Sequence, residues 1–288
     1  MTTTTRYTDY DTWAWLYNET MGPDYSRTQL KFLRQVLLPD LPSNAAILDL
    51  CCGTGQLIQP LMAAGYQVTG LDGSAAMLTY ARLNAPQATY LLEDARYFQL
   101  PEQFDGVFST SASLNHIMTL ADLTQVFGNV YQSLRSGGRF VFDLNHPAQM
   151  QKWWRNRIVE GEIISHYAWR LTPEYHPATA EGAFHVEIFQ AQPPAAPLAR
   201  LIQFLKQALY KLLRLRRLTG LRLRLLSRFE KREPTWTRSR LTYRVRGHSL
   251  TDIHTALETA GFSDITRQTI DGNPTLDANH SAHFICCK

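Results

Sequence analysis

The chain has 288 residues, 44% of them hydrophobic and 19% charged, which is long enough for one large globular domain or a domain that carries an insertion. The formal net charge of +4, and the lack of any run near the roughly 18 uncharged apolar residues of a membrane-spanning helix, exclude a uniformly basic protein and an integral membrane protein. The polar start of the chain has no apolar signal-peptide core, so we predict a cytoplasmic protein.

The first 140 residues predict helices followed by an alternation of strands and helices. Apolar residues recur at helical spacing up to Pro39, which ends the helical region. From residue 45 onward the alternation predicts a doubly wound, mostly parallel sheet, whose ligands bind beyond the carboxyl ends of the strands. The predicted strands are 45–50, 66–71, 88–92, 104–109 and 139–143, and the predicted helices between them are 56–64, 74–84 and 120–134.

The pattern changes after residue 146. Two predicted strands, at 159–171 and 183–190, have no helix between them, and a third strand is predicted at 236–246. We interpret the three as an inserted antiparallel β flap. The helix-strand pattern then resumes. The predicted domains are 1–146 (N-terminal helices and cofactor-binding half), 147–247 (flap) and 248–288 (a helix at 250–259 and strands at 262–270 and 282–287).

A basic segment at 198–232 lies within the predicted flap. Eleven Lys and Arg residues fall between Arg200 and Arg232 against one acid, Glu230, while the rest of the chain carries 18 basic and 24 acidic residues. Leucines form one face of a predicted helix over 201–218, which Gly220 is expected to break. Such a helix suits packing on its own protein, self-association, or peripheral contact with an anionic membrane. Nucleic acid is not expected, because the face is leucine-rich and lacks interleaved aromatics.

A glycine loop follows the first predicted strand, in the sequence Ile47–Leu57. Gly53 and Gly55 allow close approach of the backbone to a ligand, and the following helix offers unpaired N–H groups. The main alternative interpretation of this strand-loop-helix pattern is a nicotinamide-dependent enzyme. Its fingerprint needs a third small residue where this chain has Ile58, so the fingerprint fails.

Four motifs in register make the chain resemble the class I S-adenosylmethionine-dependent methyltransferases. They read LDLCCGTG at 48–55, VTGLDGSAAML at 68–78, LLEDARYF at 91–98 and LRSGGRFVFDLN at 134–145. The loop around His116 and the N-terminal aromatic region resemble the amino-sugar N,N-dimethyltransferases of this family. The resemblance implies a seven-stranded Rossmann-like α/β sheet and methyl transfer from S-adenosylmethionine to a nitrogen or oxygen of a small-molecule acceptor.

The resemblance also implies roles for individual residues. Gly53 and Gly55 let the loop pass under the methionine part of the cofactor, and Asp49 holds the loop or, through water, the cofactor ammonium. Asp72 accepts hydrogen bonds from the ribose hydroxyls, and Asp94 accepts from the adenine amino group. Cys51 departs from the family, which most often has a glycine there. The full predicted set of cofactor-binding residues is Tyr17 (as a lid), Asp49, Cys51, Gly53, Gly55, Asp72, Gly73, Met77 (against adenine), Asp94, Ala95 (through its N–H) and Ser111.

Methyl transfer needs a general base only when the nucleophile arrives protonated. His116 is the candidate base, with packing or capping as the structural alternative, and Asn115 and His146 are candidate substrate contacts. The paired cysteines lack zinc or redox spacing, so we predict no metal site. The alternative function is a catalytically weak cofactor-binding module or a membrane-associated scaffold.

Overall fold

The computed structural model describes residues 9–191, 206 and 209–288, which form two compact units. One unit comprises Met1–Gln149 with Arg246–Lys288, and the other comprises Met150–Val245. Residues 198–205 and 207–208 of the predicted basic segment lie outside the described residues. Within the described ranges, no helix combines the length and the apolar character needed to cross a bilayer.

The first unit is built on a seven-stranded sheet with the order β10-β11-β5-β4-β1-β2-β3. Strand β11 runs antiparallel to both of its neighbours, and the pairings among β1 to β5 are parallel. The predicted fold class is therefore confirmed. The strands are β1 (Ala46–Leu50), β2 (Gln67–Asp72), β3 (Thr89–Leu92), β4 (Phe104–Ser109), β5 (Leu134–Leu144), β10 (Ser263–Gln268) and β11 (Ala282–Cys287).

Helices pack on both faces of this sheet, and their ends follow the local sequence. Ser74 caps α4 by accepting the Met77 N–H at 3.1 Å, and Ser249 accepts from Asp252 at the start of α9. Gly261 ends α9 with φ +105°, a conformation that favours glycine. The helices are α1 (Ala14–Glu19), α2 (Met21–Val36), α3 (Ile58–Ala63), α4 (Ala75–Asn84), α5 (Leu120–Ser133), α6 (Pro147–Trp153) and α9 (Leu250–Ala260).

Side chains that alternate along the strands divide the core into two layers. Phe140, Phe142 and Phe284 point into the layer that also contains α5 and α9, whereas Val141 belongs to the layer that contains α3. Phe142 is fully buried and stacks on Phe140 and Phe284 with ring centroids 4.7 and 5.1 Å apart. Aromatic packing between β5 and β11 therefore fixes this half of the sheet.

The second unit contains a four-stranded sheet, and it corrects two predictions. The predicted strand 159–171 is two strands, because a turn in which the Ile164 N–H bonds the Tyr167 carbonyl reverses the chain. Gly220 does not break a helix; it lies in the first turn of α7, where glycine is tolerated, and the break falls at Leu215, which is extended. The elements are β6 (Glu160–Ile163), β7 (Tyr167–His176), β8 (Glu181–Gln190), β9 (Thr237–Arg246), α7 (Thr219–Leu226) and α8 (Phe229–Arg232).

Truncation of Phe142 to alanine tests the aromatic layer. We expect Phe142→Ala to lower the free energy of unfolding by about 3–5 kcal/mol, because it leaves a cavity between two stacked rings. The matched control is Leu83→Ala, since Leu83 is 72% exposed and its truncation should change stability by less than about 0.5 kcal/mol. Denaturant unfolding measures both; equal effects of the two substitutions would contradict this packing.

Candidate functional site

A pocket opens beyond the carboxyl ends of β1 and β4, where the parallel sheet predicts a ligand. It encloses about 380 Å³, part of which is open to solvent. Of the predicted site residues, it brings together Tyr17, Asp49, Cys51, Gly53 and Ser111. Asp49 is the one ionisable carboxylate among its described lining residues, and none of them is Lys, Arg or His, so the charge that this lining can carry is negative. The other lining residues are Gly22, Ser26, Cys52, Thr54, Gln56, Leu57, Thr110 and Ser113.

The glycine loop is held tightly between β1 and α4. Gly53 and Gly55 have φ +53° and +70°, and a Cβ added to Gly55 would lie 3.0 Å from the Ala81 Cβ on α4. Side chains at these positions would therefore strain the backbone or push the loop off the helix. Cys51 also has a left-handed φ of 62°, which explains why glycine is common there in the family the motifs resemble.

Asp72, at the end of β2, joins the glycine loop to α4. One carboxyl oxygen accepts the Gly53 N–H at 2.8 Å, and the other accepts the Ser74 N–H at 2.9 Å. Burial raises the pKa of Asp72 to about 6, while these two hydrogen bonds oppose the rise. Burial, with the Asp72 charge nearby, also raises the pKa of Asp49 well above its ordinary value. Asp49 and Asp72 are thus buried carboxyl groups with no Lys, Arg or His among the described pocket residues to balance their negative charge.

Asp143, at the end of β5, is a site residue that the sequence interpretation missed. It is 4% exposed, and Oδ2 accepts the Ala112 N–H at 3.0 Å while Oδ1 has no partner among the described residues. Burial raises its pKa to about 7, against the effect of its hydrogen bonds from Ala112 and Ser111. The signal was available, because Asp143 is an acid at a strand end like Asp49 and Asp72.

Asp143 supports a loop in an unfavourable backbone conformation. Ser111 and Ala112 have φ values of 62° and 56°, which non-glycine residues rarely adopt. Ser111 lines the pocket and bonds the Tyr17 side chain, whose pKa is raised by burial and by nearby carboxylates. The loop after β4 is therefore held in place at the pocket by a buried carboxylate.

The N-terminal segment is fastened over the same site by polar side chains. Asn18 on α1 accepts hydrogen bonds from Gln56 at 3.1 Å and Asn84 at 2.7 Å, and Asn84 also donates to the Thr54 carbonyl. Asp11 accepts hydrogen bonds from the Ser74 hydroxyl and from the first turn of α4. These contacts place Tyr17 beside the glycine loop. No local sequence signal marks them, because the partners lie 30 to 66 positions apart.

The remaining predicted cofactor residues do not line the pocket: Gly55 lies in the glycine loop after β1, and Asp72, Gly73, Met77, Asp94 and Ala95 lie at or after the ends of β2 and β3. Gly73 and the buried Met77 lie beside Asp72 at the start of α4. Asp94 pairs with Arg96 through both carboxyl oxygens, at 2.6 and 2.9 Å. Asn129 donates to the carbonyl of Ala95, which fixes this turn. The roles of all these residues toward a ligand stay predictions.

The three predicted catalytic or substrate residues have different surroundings. His116 Nε2 lies 2.6 Å from the Tyr10 hydroxyl, in the 3-10 helix Ser113–His116 that follows the pocket-lining loop. Asn115 donates both amide hydrogens to the carbonyls of Asn145 and Arg246, so it has no donor left for a substrate. His146 is 4% exposed and contacts two loop carbonyls through Nε2, which indicates a structural role.

Comparisons with known proteins identify the family. A family described as "Methyltransferase domain" matches residues 47–138. Demethylmenaquinone methyltransferase of Lactiplantibacillus plantarum is 30% identical over 173 residues, which cover 51% of this chain and 72% of that protein. The chain belongs to the class I S-adenosylmethionine-dependent methyltransferases. The predicted family is confirmed.

Other relatives of this methyltransferase match shorter regions. An uncharacterized methyltransferase of Synechocystis sp. is 37% identical, and the match covers 43% of this chain and 59% of that protein. The dTDP-3-amino-3,4,6-trideoxy-alpha-D-glucopyranose N,N-dimethyltransferase of Streptomyces venezuelae is 28% identical, with 46% and 52% covered. The match with the amino-sugar branch bears out the predicted likeness. This chain thus spans only about half the length of several curated relatives.

The fold matches a solved structure over nearly its whole length. The S-adenosylmethionine-dependent methyltransferase from Clostridium acetobutylicum superposes with a TM-score of 0.69 at 15% identity, covering 96% of this chain and 98% of that one. The residues of the pocket fit the family's cofactor. S-adenosylmethionine carries a sulfonium and an ammonium. The Asp49 carboxylate lines the pocket, and the glycine loop places only backbone at Gly53. The buried Asp143, whose Oδ1 has no partner among the described residues, lies behind the pocket-lining loop and adds a second acidic group.

The raised pKa of Asp143 predicts a pH dependence of stability. An unfolded Asp titrates near pH 4, whereas folding raises the pKa of Asp143 to about 7. The folded protein therefore binds more protons between these pH values, and the free energy of unfolding should fall as pH rises from 4 to 7. Asp143→Asn should reduce that fall by about 3 kcal/mol, because each pKa unit corresponds to about 1.4 kcal/mol.

Denaturant unfolding at several pH values measures this effect. Asp271→Asn is the matched control, because Asp271 is exposed and makes no described contact. Asp49 and Asp72 leave a residual slope of the same sign in the Asp143 variant. Parallel pH profiles for wild type and Asp143→Asn would show that Asp143 is ionised in the folded protein, contrary to this account.

Proposed function

We propose that this methyltransferase transfers the methyl group of S-adenosylmethionine to a nitrogen or oxygen of a small-molecule acceptor. The observation that carries the proposal is the pocket at the ends of β1 and β4, which Asp49 lines beside the glycine loop and whose other loop is bonded to the buried Asp143, in a chain of this family. When bound, the cofactor supplies an activated methyl group on sulfur, and the protein supplies alignment and removal of water.

Different residues of the chain are proposed to bind different parts of the cofactor. Asp72 is proposed to turn from the Gly53 N–H toward the ribose hydroxyls, and Asp49 and Asp143 favour the positive groups of the ligand electrostatically. Tyr17 is proposed to close over the pocket, since its ring lies near Gly53 and its side chain bonds Ser111. Asp94 and Ala95 are proposed to receive the adenine.

His116 is the proposed base, acting together with Tyr10. The Tyr10 hydroxyl and His116 Nε2 are 2.6 Å apart, which is within range for proton transfer. Only an acceptor that arrives protonated requires His116 to accept a proton from it. A curated relative suggests the acceptor class to try first, a nucleotide-linked amino sugar.

Loss of the Asp72 carboxylate should weaken cofactor binding without unfolding the protein. We expect Asp72→Ala to raise the dissociation constant of S-adenosylmethionine about tenfold to a hundredfold, because hydrogen bonds to a charged group contribute about 1.5–3 kcal/mol. Calorimetry measures the affinity, and Asp271→Ala is the control for removal of an exposed carboxylate. Unchanged affinity in the Asp72 variant would refute the proposed cofactor site.

A second prediction separates an enzyme from a cofactor-binding scaffold. With an accepted substrate, His116→Ala should lower kcat by about 10²-fold or more, while the affinity for S-adenosylmethionine stays near that of the wild type. His254→Ala is the control, because His254 is a surface histidine on α9. Formation of S-adenosylhomocysteine is the readout. Turnover within a few-fold of wild type would exclude His116 as the base, and no turnover with any acceptor class would favour the scaffold.

A further inference from the structure

The basic helices of the second unit use only one side to pack on their own protein. Tyr210, Leu213 and Leu226 are buried against sheet residues that include Ile163 and Phe189. The alternation of buried and exposed residues along 209–213 has helical spacing, so the opposite side of this turn faces outward. Intramolecular packing therefore accounts for some of the leucines in the segment and leaves the others unexplained.

The exposed part of this segment is rich in leucine. Leu209, Leu212, Leu215 and Leu221 are 51%, 55%, 55% and 48% exposed. They are four of the nine large hydrophobic side chains that are exposed in the described part of the chain, and they fall within thirteen positions. Single exposed leucines need no explanation, whereas a concentration of them indicates an interaction surface.

The same segment carries a large excess of positive charge. Between residues 209 and 232 the chain has nine Lys and Arg residues and one acid, Glu230. Glu230 pairs with Arg170 and Arg238 of the sheet, so it does not neutralise its neighbours. The exposed Lys211, Arg216, Arg217, Arg224, Arg228, Lys231 and Arg232 have no acidic partner among the described residues.

We propose that this leucine–arginine surface, formed by residues 209–232, docks on a lipid bilayer with anionic headgroups. The leucines enter the boundary between headgroups and acyl chains, and the arginines bind lipid phosphates. A second copy of the chain would bring like charges together, and a nucleic acid would leave the leucines without a role. An anionic bilayer matches both the exposed leucines and the positive charge of the segment.

Sedimentation of the full chain with vesicles tests the proposal. We expect the protein to pellet with vesicles of phosphatidylcholine and phosphatidylglycerol, and at least about tenfold more weakly with phosphatidylcholine alone. Binding should weaken further as sodium chloride is added, because salt screens the charges. Equal pelleting with both vesicles, or none with either, would overturn the proposal without any variant.

Two sets of substitutions then separate the apolar and the charged contributions. Replacing three leucines (L209Q, L212Q and L221Q) keeps the charge and should weaken binding at least about tenfold. Wild-type binding in this variant would show that the arginines act alone, and it would overturn docking by insertion. Thermal unfolding and S-adenosylmethionine binding check that the variant is folded.

The charge variant and the control complete the test. Replacing three arginines (R216Q, R217Q and R224Q) should also weaken binding at least about tenfold, and wild-type binding would overturn the proposal. The control variant, L83Q with R267Q, changes an exposed leucine and an exposed arginine of the first unit and should bind like wild type. Equal loss in the control would also overturn it, since the effect would not belong to this surface.

Discussion

The carboxyl ends of neighbouring parallel strands lie side by side, and this one constraint brings the acidic residues of the site together. The register places the end of β1 beside β2 and β4, and β4 beside β5, so Asp49, Asp72 and Asp143 share one edge of the sheet. Because they are buried, their pKa values rise. The glycine loop and the loop after β4 are both hydrogen-bonded to these carboxylates. A cationic ligand would complete the arrangement.

The parts of the fold that the sequence predicted have local causes. The alternation of apolar strands and amphipathic helices, the serine caps and the glycine loop each depend on neighbouring residues, so a single sequence reveals them. Asp72 was predicted to belong to the site because it ends a strand, and its hydrogen bond to the Gly53 N–H adds a link that spacing cannot predict.

The parts that it did not predict depend on distant contacts. The hydrogen bonds of Asn18 to Gln56 and Asn84, and those of Asn115 to two separate strand ends, leave no periodic pattern in the chain. The turn after Ile163 is not predicted because its residues, Ile164, Ser165 and His166, include no Gly, Pro, Asn or Asp to mark a turn. The left-handed conformation of Cys51 could not be predicted from the residue type, because cysteine, unlike glycine, rarely adopts a positive φ.

Proton release on binding tests the central claim most directly, namely that a buried acidic pocket receives a cationic cofactor. Calorimetric titration of the wild-type protein with S-adenosylmethionine at pH 6.5, in buffers with different ionisation enthalpies, counts the protons exchanged. The account predicts tight binding with net proton release, because a cation lowers the raised pKa values of Asp72 and Asp143. Binding with no proton release, or no binding, would contradict it.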